Sequence, residues 1–397
     1  MTRMDPHENA TRDQRRHFAV LGALLVCLAT AALVAAAAPA KLTATTGGQT
    51  AALQNDLDAL VAAGAPGAIL LVRNGNHTTR ITAGLADVTQ KRPMRASDRF
   101  RIASVTKSYT ASVVLQLVAA GKLGLSDSIE RRLPKIVPNG KAITIRQLLN
   151  HTSGLYDFES DPRYLKPYLG GNLGYYRPAR QLVRIAVSHK PLFAPGTRHS
   201  YSNTNYVVAG LIVEAVTGRS FGAELRKRIF RPLHLDQTTY PTTPRMPRPY
   251  AHGYTVLGKQ AGFDITHISP SLFPTSGAII SSVGDIADFY RAVLSGRLLQ
   301  PKLLKAMKTM VPIGSLDSGT GATGANGYGL GLMRWPTACG AAWGHDGGVP
   351  GYWTRSYSTD NGGRQAVLMI NHDPETLAIP ARGLFQRLIA RAYCSGA

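Results

Sequence analysis

The chain has 397 residues, with 45 Lys+Arg against 23 Asp+Glu and a formal charge of +22. Hydrophobic residues make up 44% and charged residues 17%, which supports a folded core and excludes a disordered chain. The basic residues form no long run, and no zinc-finger spacing or aromatic RNA-binding signature accompanies them. The charge therefore suits lipid headgroups or anionic wall polymer, and nucleic acid is not an expected partner.

Residues 1–40 predict export. Arg12, Arg15 and Arg16 precede an apolar stretch from Phe18 to Ala38, and Ala35 to Ala38 stand before Pro39 as a signal-peptidase site requires. Arg15-Arg16-His17-Phe18 resembles the core of a twin-arginine signal. The same stretch is long enough for one retained membrane anchor. On either reading the rest of the chain works outside the cytoplasm, secreted or in the envelope. Membrane contact is confined to this segment, and a monomer is expected.

Cys27 follows Val26, not the small residue that lipid attachment needs. Cys339 and Cys394 read as one disulfide in an oxidising compartment, with two separate buried thiols as the alternative.

Residues 41–49 read as a linker. A helix follows, with Leu53, Leu57, Leu60 and Val61 on one face, stopped by Gly64 and Pro66. Asn74-Gly75 predicts a hairpin between Ala68–Arg73 and Thr78–Ala83. Thr144 caps a helix that Gly154 ends, and an apolar helix from Asn205 to Val216 stops at Gly218. Asn361-Gly362 joins strands Tyr352–Tyr357 and Ala366–Ile370, and a last helix carries Ala381, Leu384, Phe385, Leu388 and Ile389 on one stripe. The expected organisation is an α/β lobe over 50–122, an all-helical lobe over 123–255, and the rest of the α/β lobe over 256–397.

Three short motifs carry chemistry. In Ser104-Val105-Thr106-Lys107, helical spacing puts the amine one turn from the hydroxyl, at the head of an apolar helix. Burial and the positive helix end lower an amine's pKa, so Lys107 becomes able to take the Ser104 proton. In Tyr201-Ser202-Asn203, a phenol and an amide two residues apart face one cleft, for proton relay and substrate orientation. In Gly344-His345-Asp346-Gly347-Gly348, glycines let a substrate backbone lie against a strand edge. There the Gly348 N–H pairs with the Ser104 N–H as an oxyanion hole.

Gly319 to Gly324 matches a dinucleotide-binding pattern but neither follows a strand nor opens a helix. The 11 histidines show no paired ligand spacing, and His151 reads as a structural helix-end residue. No cofactor and no metal are expected.

In this order the three motifs resemble the serine β-lactamase and penicillin-binding superfamily. Tyr201 at the head of the second motif is similar to the branch of class C β-lactamases, D-alanyl-D-alanine carboxypeptidases and esterases. With His345, the set looks most like the secreted actinobacterial carboxypeptidases. LLNHTSGL at 148–155 and SGAIISSVGDIADFY at 276–290 share the resemblance, which spans roughly residues 50–394.

The resemblance implies an α+β fold: an antiparallel sheet flanked by helices, with an inserted all-helical lobe and the cleft between. It implies acylation of Ser104, proton transfer shared by Lys107 and Tyr201 with the base unassigned, orientation by Asn203, and His345 in place of the usual lysine. Arg334 would bind the substrate carboxylate, Gly347 the substrate backbone, and Phe273 would line the cleft. The implied activity is a D-Ala-D-Ala carboxypeptidase on peptidoglycan stem peptides, acylated by β-lactams. The alternatives are a β-lactamase or small-ester hydrolase, and a penicillin-binding receptor without turnover.

Asp346 departs from the relatives' threonine. A carboxylate in the cleft would repel a substrate carboxylate and favour ester or amine substrates, so Asp346→Thr is expected to raise carboxypeptidase activity.

Overall fold

The computed structural model describes residues 46–257, 260–313 and 324–395, all inside one compact unit. The leader with Cys27, and most of the Gly319–Gly324 pattern, lie outside the described residues.

Helix α1 (Thr46–Ala62) buries Leu53, Leu57 and Leu60 at helical spacing. It begins inside the expected linker, so residues 46–49 are helical. Strands β1 (Gly67–Asn74) and β2 (His77–Asp87) form the hairpin at Asn74-Gly75, with Asn74 opposite His77. The run Ala68 to Leu71 is apolar throughout because β1 is covered on both faces. Short strands β3 (Arg92–Pro93) and β4 (Phe100–Arg101) follow.

Every element from 106 to 225 is a helix. Besides a 3-10 turn at Phe158–Ser160, these are in order α2 (Thr106–Ala119), α3 (Ile129–Arg132), α4 (Ile145–Leu149), α5 (Pro162–Leu169), α6 (Ala179–Val187), α7 (Asn203–Thr217) and α8 (Phe221–Leu225). Thr144 and Gln147 start α4 with a reciprocal capping box. The helix ends at Leu149, not at Gly154, and the chain turns left-handed at His151, φ 59°.

Strands β5 (Tyr254–Leu257) and β6 (Gln260–Asp264) form a small ribbon, α9 (Pro274–Gly277) is one turn, and β7 (Ile280–Ser281) pairs with β4. Helices α10 (Val283–Leu294) and α11 (Pro301–Lys308) lead to β8 (Gly327–Tyr328), β9 (Met333–Thr337), β10 (Gly340–Val349), β11 (Tyr352–Ser358) and β12 (Arg364–Ile370). Helix α12 (Ile379–Ser395) closes the fold.

Eight strands make one antiparallel sheet in the order β3-β2-β1-β12-β11-β10-β9-β8. At its centre Leu70 lies opposite Leu368, pairing an early strand with the last. On one face α12 buries Ala381, Phe385, Leu388 and Ile389 beside α1. On the other, α10 packs over β12 and β1, and Tyr109 of α2 stacks on Phe289 at 3.6 Å. The architecture is thus an antiparallel sheet flanked by helices. A Cys339–Cys394 disulfide ties the β9–β10 turn to α12.

Candidate active site

The site begins where β4 passes into α2. Ile102 N–H is anchored on the Ile279 carbonyl at 3.0 Å, and Ala103 then takes a left-handed turn at φ 51°. Such a turn is costly for a residue with a Cβ and persists only where packing enforces it. It lifts one side chain out of the core: from Phe100 to Leu115, Ser104 alone is not buried.

Lys107 points back from the first turn of α2 and is fully buried. Its Nζ donates to Ser104 Oγ at 2.8 Å, Asn203 Oδ1 at 2.6 Å and the Ser276 carbonyl at 3.0 Å. Burial lowers its pKa from 10.5 to about 7, against the opposing pull of Glu159 and Asp157. Near neutral pH a large fraction of this amine is therefore uncharged. The Tyr201 ring lies 4.8 Å from Nζ, and its hydroxyl hydrogen-bonds Ser104. Burial holds the Tyr201 phenol well above its ordinary pKa, so it keeps its proton.

The segments at 151–158 and 200–205 are laced together, which presents Tyr201 and Asn203 to Lys107. Ser202 Oγ and Thr204 Oγ1 both donate to the Tyr156 carbonyl, and Phe158 N–H donates to Thr204 Oγ1. Ser153 Oγ donates to Asn205 Oδ1 at 2.5 Å. Asn203 Nδ2 donates to Asp157 Oδ2 at 3.0 Å, which orients its other end toward Lys107. Gly210 lets α7 approach α9: a Cβ there would lie 2.4 Å from Thr275.

The third wall is β10. It pairs with β11 from Trp343 to Val349, but with β9 only from Gly340 to Gly344. Residues 345–349 thus form an edge on the β9 side, beside the Ser104 turn. Gly347 is pressed against that turn, since a Cβ would sit 2.9 Å from Ser104 N. Gly348 is the exposed residue of the edge. The Ser104 and Gly348 amides are the candidate oxyanion donors.

His345 is fully buried. Its Nδ1 meets the Asp346 carbonyl, so that nitrogen carries the proton and Nε2 accepts from Tyr328 Oη at 2.8 Å. Burial, reinforced by Lys107, lowers its pKa to about 3, so the imidazole is neutral. It occupies the expected lysine position without a lysine's charge.

One expectation changes. Asp346 does not face the cleft: it is buried on the opposite face of the sheet, where it accepts from Trp353 Nε1 at 2.8 Å, from Gly347 N–H and from Arg355 Nη2 at 2.5 Å. Side chains alternate along a strand, so with His345 and Gly347 toward Ser104 the intervening residue must point away. Phe273, the expected lining residue, is 3% exposed and packs into the core just before Pro274. Arg334 is half-buried, paired with Trp343 across β9 and β10 and so on the sheet face that His345 and Gly347 share, with its guanidinium 5.8 Å from the Trp343 ring centre.

Asp157 and Tyr328 enter the site without a motif of their own, while the Ser276 carbonyl opens the SGAIISSVGDIADFY segment. That segment, and the position of Asp157 just after LLNHTSGL, offered a signal. Among the described residues no cluster of three His, Cys, Asp or Glu side chains stands ready for a metal ion.

The Beta-lactamase family profile matches residues 53–389. Penicillin-binding protein 4* of Bacillus subtilis (strain 168) is 26% identical over 339 residues, covering 78% of this chain and 69% of that protein. A D-stereospecific amidohydrolase from Streptomyces sp. superposes with a TM-score of 0.78 at 37% identity, over 87% of this chain and 99% of the other. A D-amino acid amidase from Ochrobactrum anthropi SV3, complexed with L-phenylalanine amide, gives 0.77 at 29% identity, over 87% and 98%.

Proposed function

Because this chain belongs to the Beta-lactamase family, we propose that it is an exported serine hydrolase that cleaves amides of D-configured amino acids through an acyl-enzyme on Ser104. The observation that carries the reading is the contact of Lys107 Nζ with Ser104 Oγ, Asn203 Oδ1 and the Ser276 carbonyl.

Neutral Lys107 takes the Ser104 proton as Oγ bonds to the substrate carbonyl carbon. The oxyanion forms between the Ser104 and Gly348 amides. Its collapse breaks the C–N bond, and the leaving nitrogen receives a proton through the Tyr201 hydroxyl, which Lys107 restores. Water then attacks the ester by the same relay, releasing the acid and freeing Ser104. Lys107 is assigned as the base because the Tyr201 phenol is held protonated at neutral pH.

Charge selects the substrate. A C-terminal D-Ala leaving group brings a carboxylate, to which the neutral His345 offers no charge. A simple amide leaves as an uncharged group and needs none. On the helical side, Asp157 and Glu159 lie close enough to Lys107 to act on it electrostatically, and Glu375 acts on Glu159. Burial holds the Asp157, Glu159 and Glu375 carboxyls above their usual range, Glu159 up to about 8, so they offer a substrate hydrogen bonds more than fixed negative charge. The arginine-led apolar leader supports export.

The test pairs fluorescent penicillin labelling with ammonia release from D-phenylalanine amide, its L-enantiomer and a D-Ala-D-Ala peptide. Labelling should vanish in Ser104→Ala, and the D-amide should exceed the others by about tenfold or more in kcat/KM. Faster peptide cleavage would establish the carboxypeptidase reading instead. Labelling of Ser104→Ala equal to wild type rules out the nucleophile.

A further inference from the structure

One residue from a distant loop holds both neighbours of Tyr201. Ser200 N–H donates to the His151 carbonyl at 3.0 Å, and Ser202 N–H donates to His151 Nδ1 at 3.1 Å. Between these two anchors, the His151 ring stacks on the Tyr201 ring, with centroids 4.3 Å apart and planes 27° apart. We infer that His151 is a positioning residue that sets the Tyr201 hydroxyl against Ser104 and Lys107. The inference rests on the proton-relay role proposed above for Tyr201.

The backbone conformation serves this contact. At φ 59° His151 sits in the left-handed region, where histidine, asparagine and aspartate are enriched among residues with a side chain. That single residue directs both its carbonyl and its ring to the strand-like segment 200–202. Nδ1 also faces Asn205 Nδ2 at 3.1 Å, so it accepts, and the ring proton is on Nε2. Asn205 is fixed in turn by Ser153 Oγ, which closes a loop of contacts from 151 to 153 and back to 205. Lys107, His199, His345, Tyr206 and Tyr328 surround the ring, so it stays neutral in a buried and already basic neighbourhood.

Imidazole supplies two things at once, an aromatic face for Tyr201 and an in-plane acceptor for Ser202. Substitutions separate them. His151→Phe keeps a stacking ring and loses the acceptor. His151→Asn keeps an acceptor and tolerates the left-handed turn but loses the ring. Tyr201→Phe removes the hydroxyl that His151 is inferred to place.

The experiment is a double-mutant cycle on the full chain, read as the single-turnover rate of Ser104 acylation by fluorescent penicillin. In the wild-type background His151→Phe should slow acylation by about 10²-fold, the scale of a small misplacement of a reacting group. His151→Asn should recover part of that loss. In the Tyr201→Phe background both substitutions should have nearly no further effect, because the hydroxyl they displace is gone. Equal losses in the two backgrounds overturn the inference and leave His151 a folding residue, as does a wild-type rate for His151→Phe. If His151→Phe does not fold, the cycle is run with His151→Asn, whose loss must likewise vanish beside Tyr201→Phe. Absence of acylation in the wild type overturns the parent reading first, and this one with it.

Discussion

Lys107 touches three neutral oxygens and forms no ion pair, so nothing in direct contact offsets the cost of burying its charge. This has a kinetic and a thermodynamic consequence. The kinetic one is an ascending limb: kcat/KM should rise with pH through about 7 as the ammonium deprotonates. The thermodynamic one follows from proton linkage. The folded value of about 7 lies below the ordinary 10.5, so between them the unfolded chain binds the additional proton and stability rises with pH. Lys107→Met should therefore lose acylation yet melt higher than wild type at pH 7. That advantage is full below about pH 7 and closes toward 10.5. A variant that melts lower at every pH contradicts a buried neutral amine. The Ser104–Lys107 pair was legible because spacing along one helix is a local property. The Asn203–Asp157 contact was not, since a lone aspartate carries no mark of the amide it will meet across 46 positions of chain.

At the scale of elements, β10 shows how a correct motif was misread by one side chain. The glycines and His345 do lie at the Ser104 turn, but period-two alternation sends Asp346 to the α12 side. Applying that alternation to GHDGG would have placed the carboxylate opposite the cleft from sequence alone. Asp346 now has a structural consequence in place of a substrate one. Asp346→Asn removes the carboxylate charge opposite Arg355, which is 1% exposed among Trp335, Trp353 and Phe385 and keeps its neutral partner Tyr357. The expected loss is about 3–5 kcal/mol in urea unfolding. KM for the best substrate should not change in the fraction that remains folded. A KM shift without loss of stability returns Asp346 to the cleft.

At the scale of the whole molecule, both Asn-Gly hairpins could be read from local pattern, because turn chemistry is encoded in adjacent residues. The order of the sheet could not, since pairing between β1 and β12 joins residues almost 300 positions apart and leaves no periodic trace. The resemblance implied an antiparallel sheet flanked by helices, without its strand order. The disulfide spans 55 residues, so loop entropy assigns it about 4 kcal/mol. Cys339→Ser with Cys394→Ser should lower stability by that amount and leave acylation of the folded enzyme unchanged. An unchanged melting temperature in reductant contradicts the bridge. The β1–β12 pairing also governs timing during synthesis. Ser104 leaves the ribosome early, but Gly347 and the final strand arrive some 250 residues later. Until then the hydroxyl has no glycine edge beside it and the central sheet lacks its keystone strand. A nascent or interrupted chain thus lacks the assembled cleft, which is complete only once the polypeptide is almost entirely made.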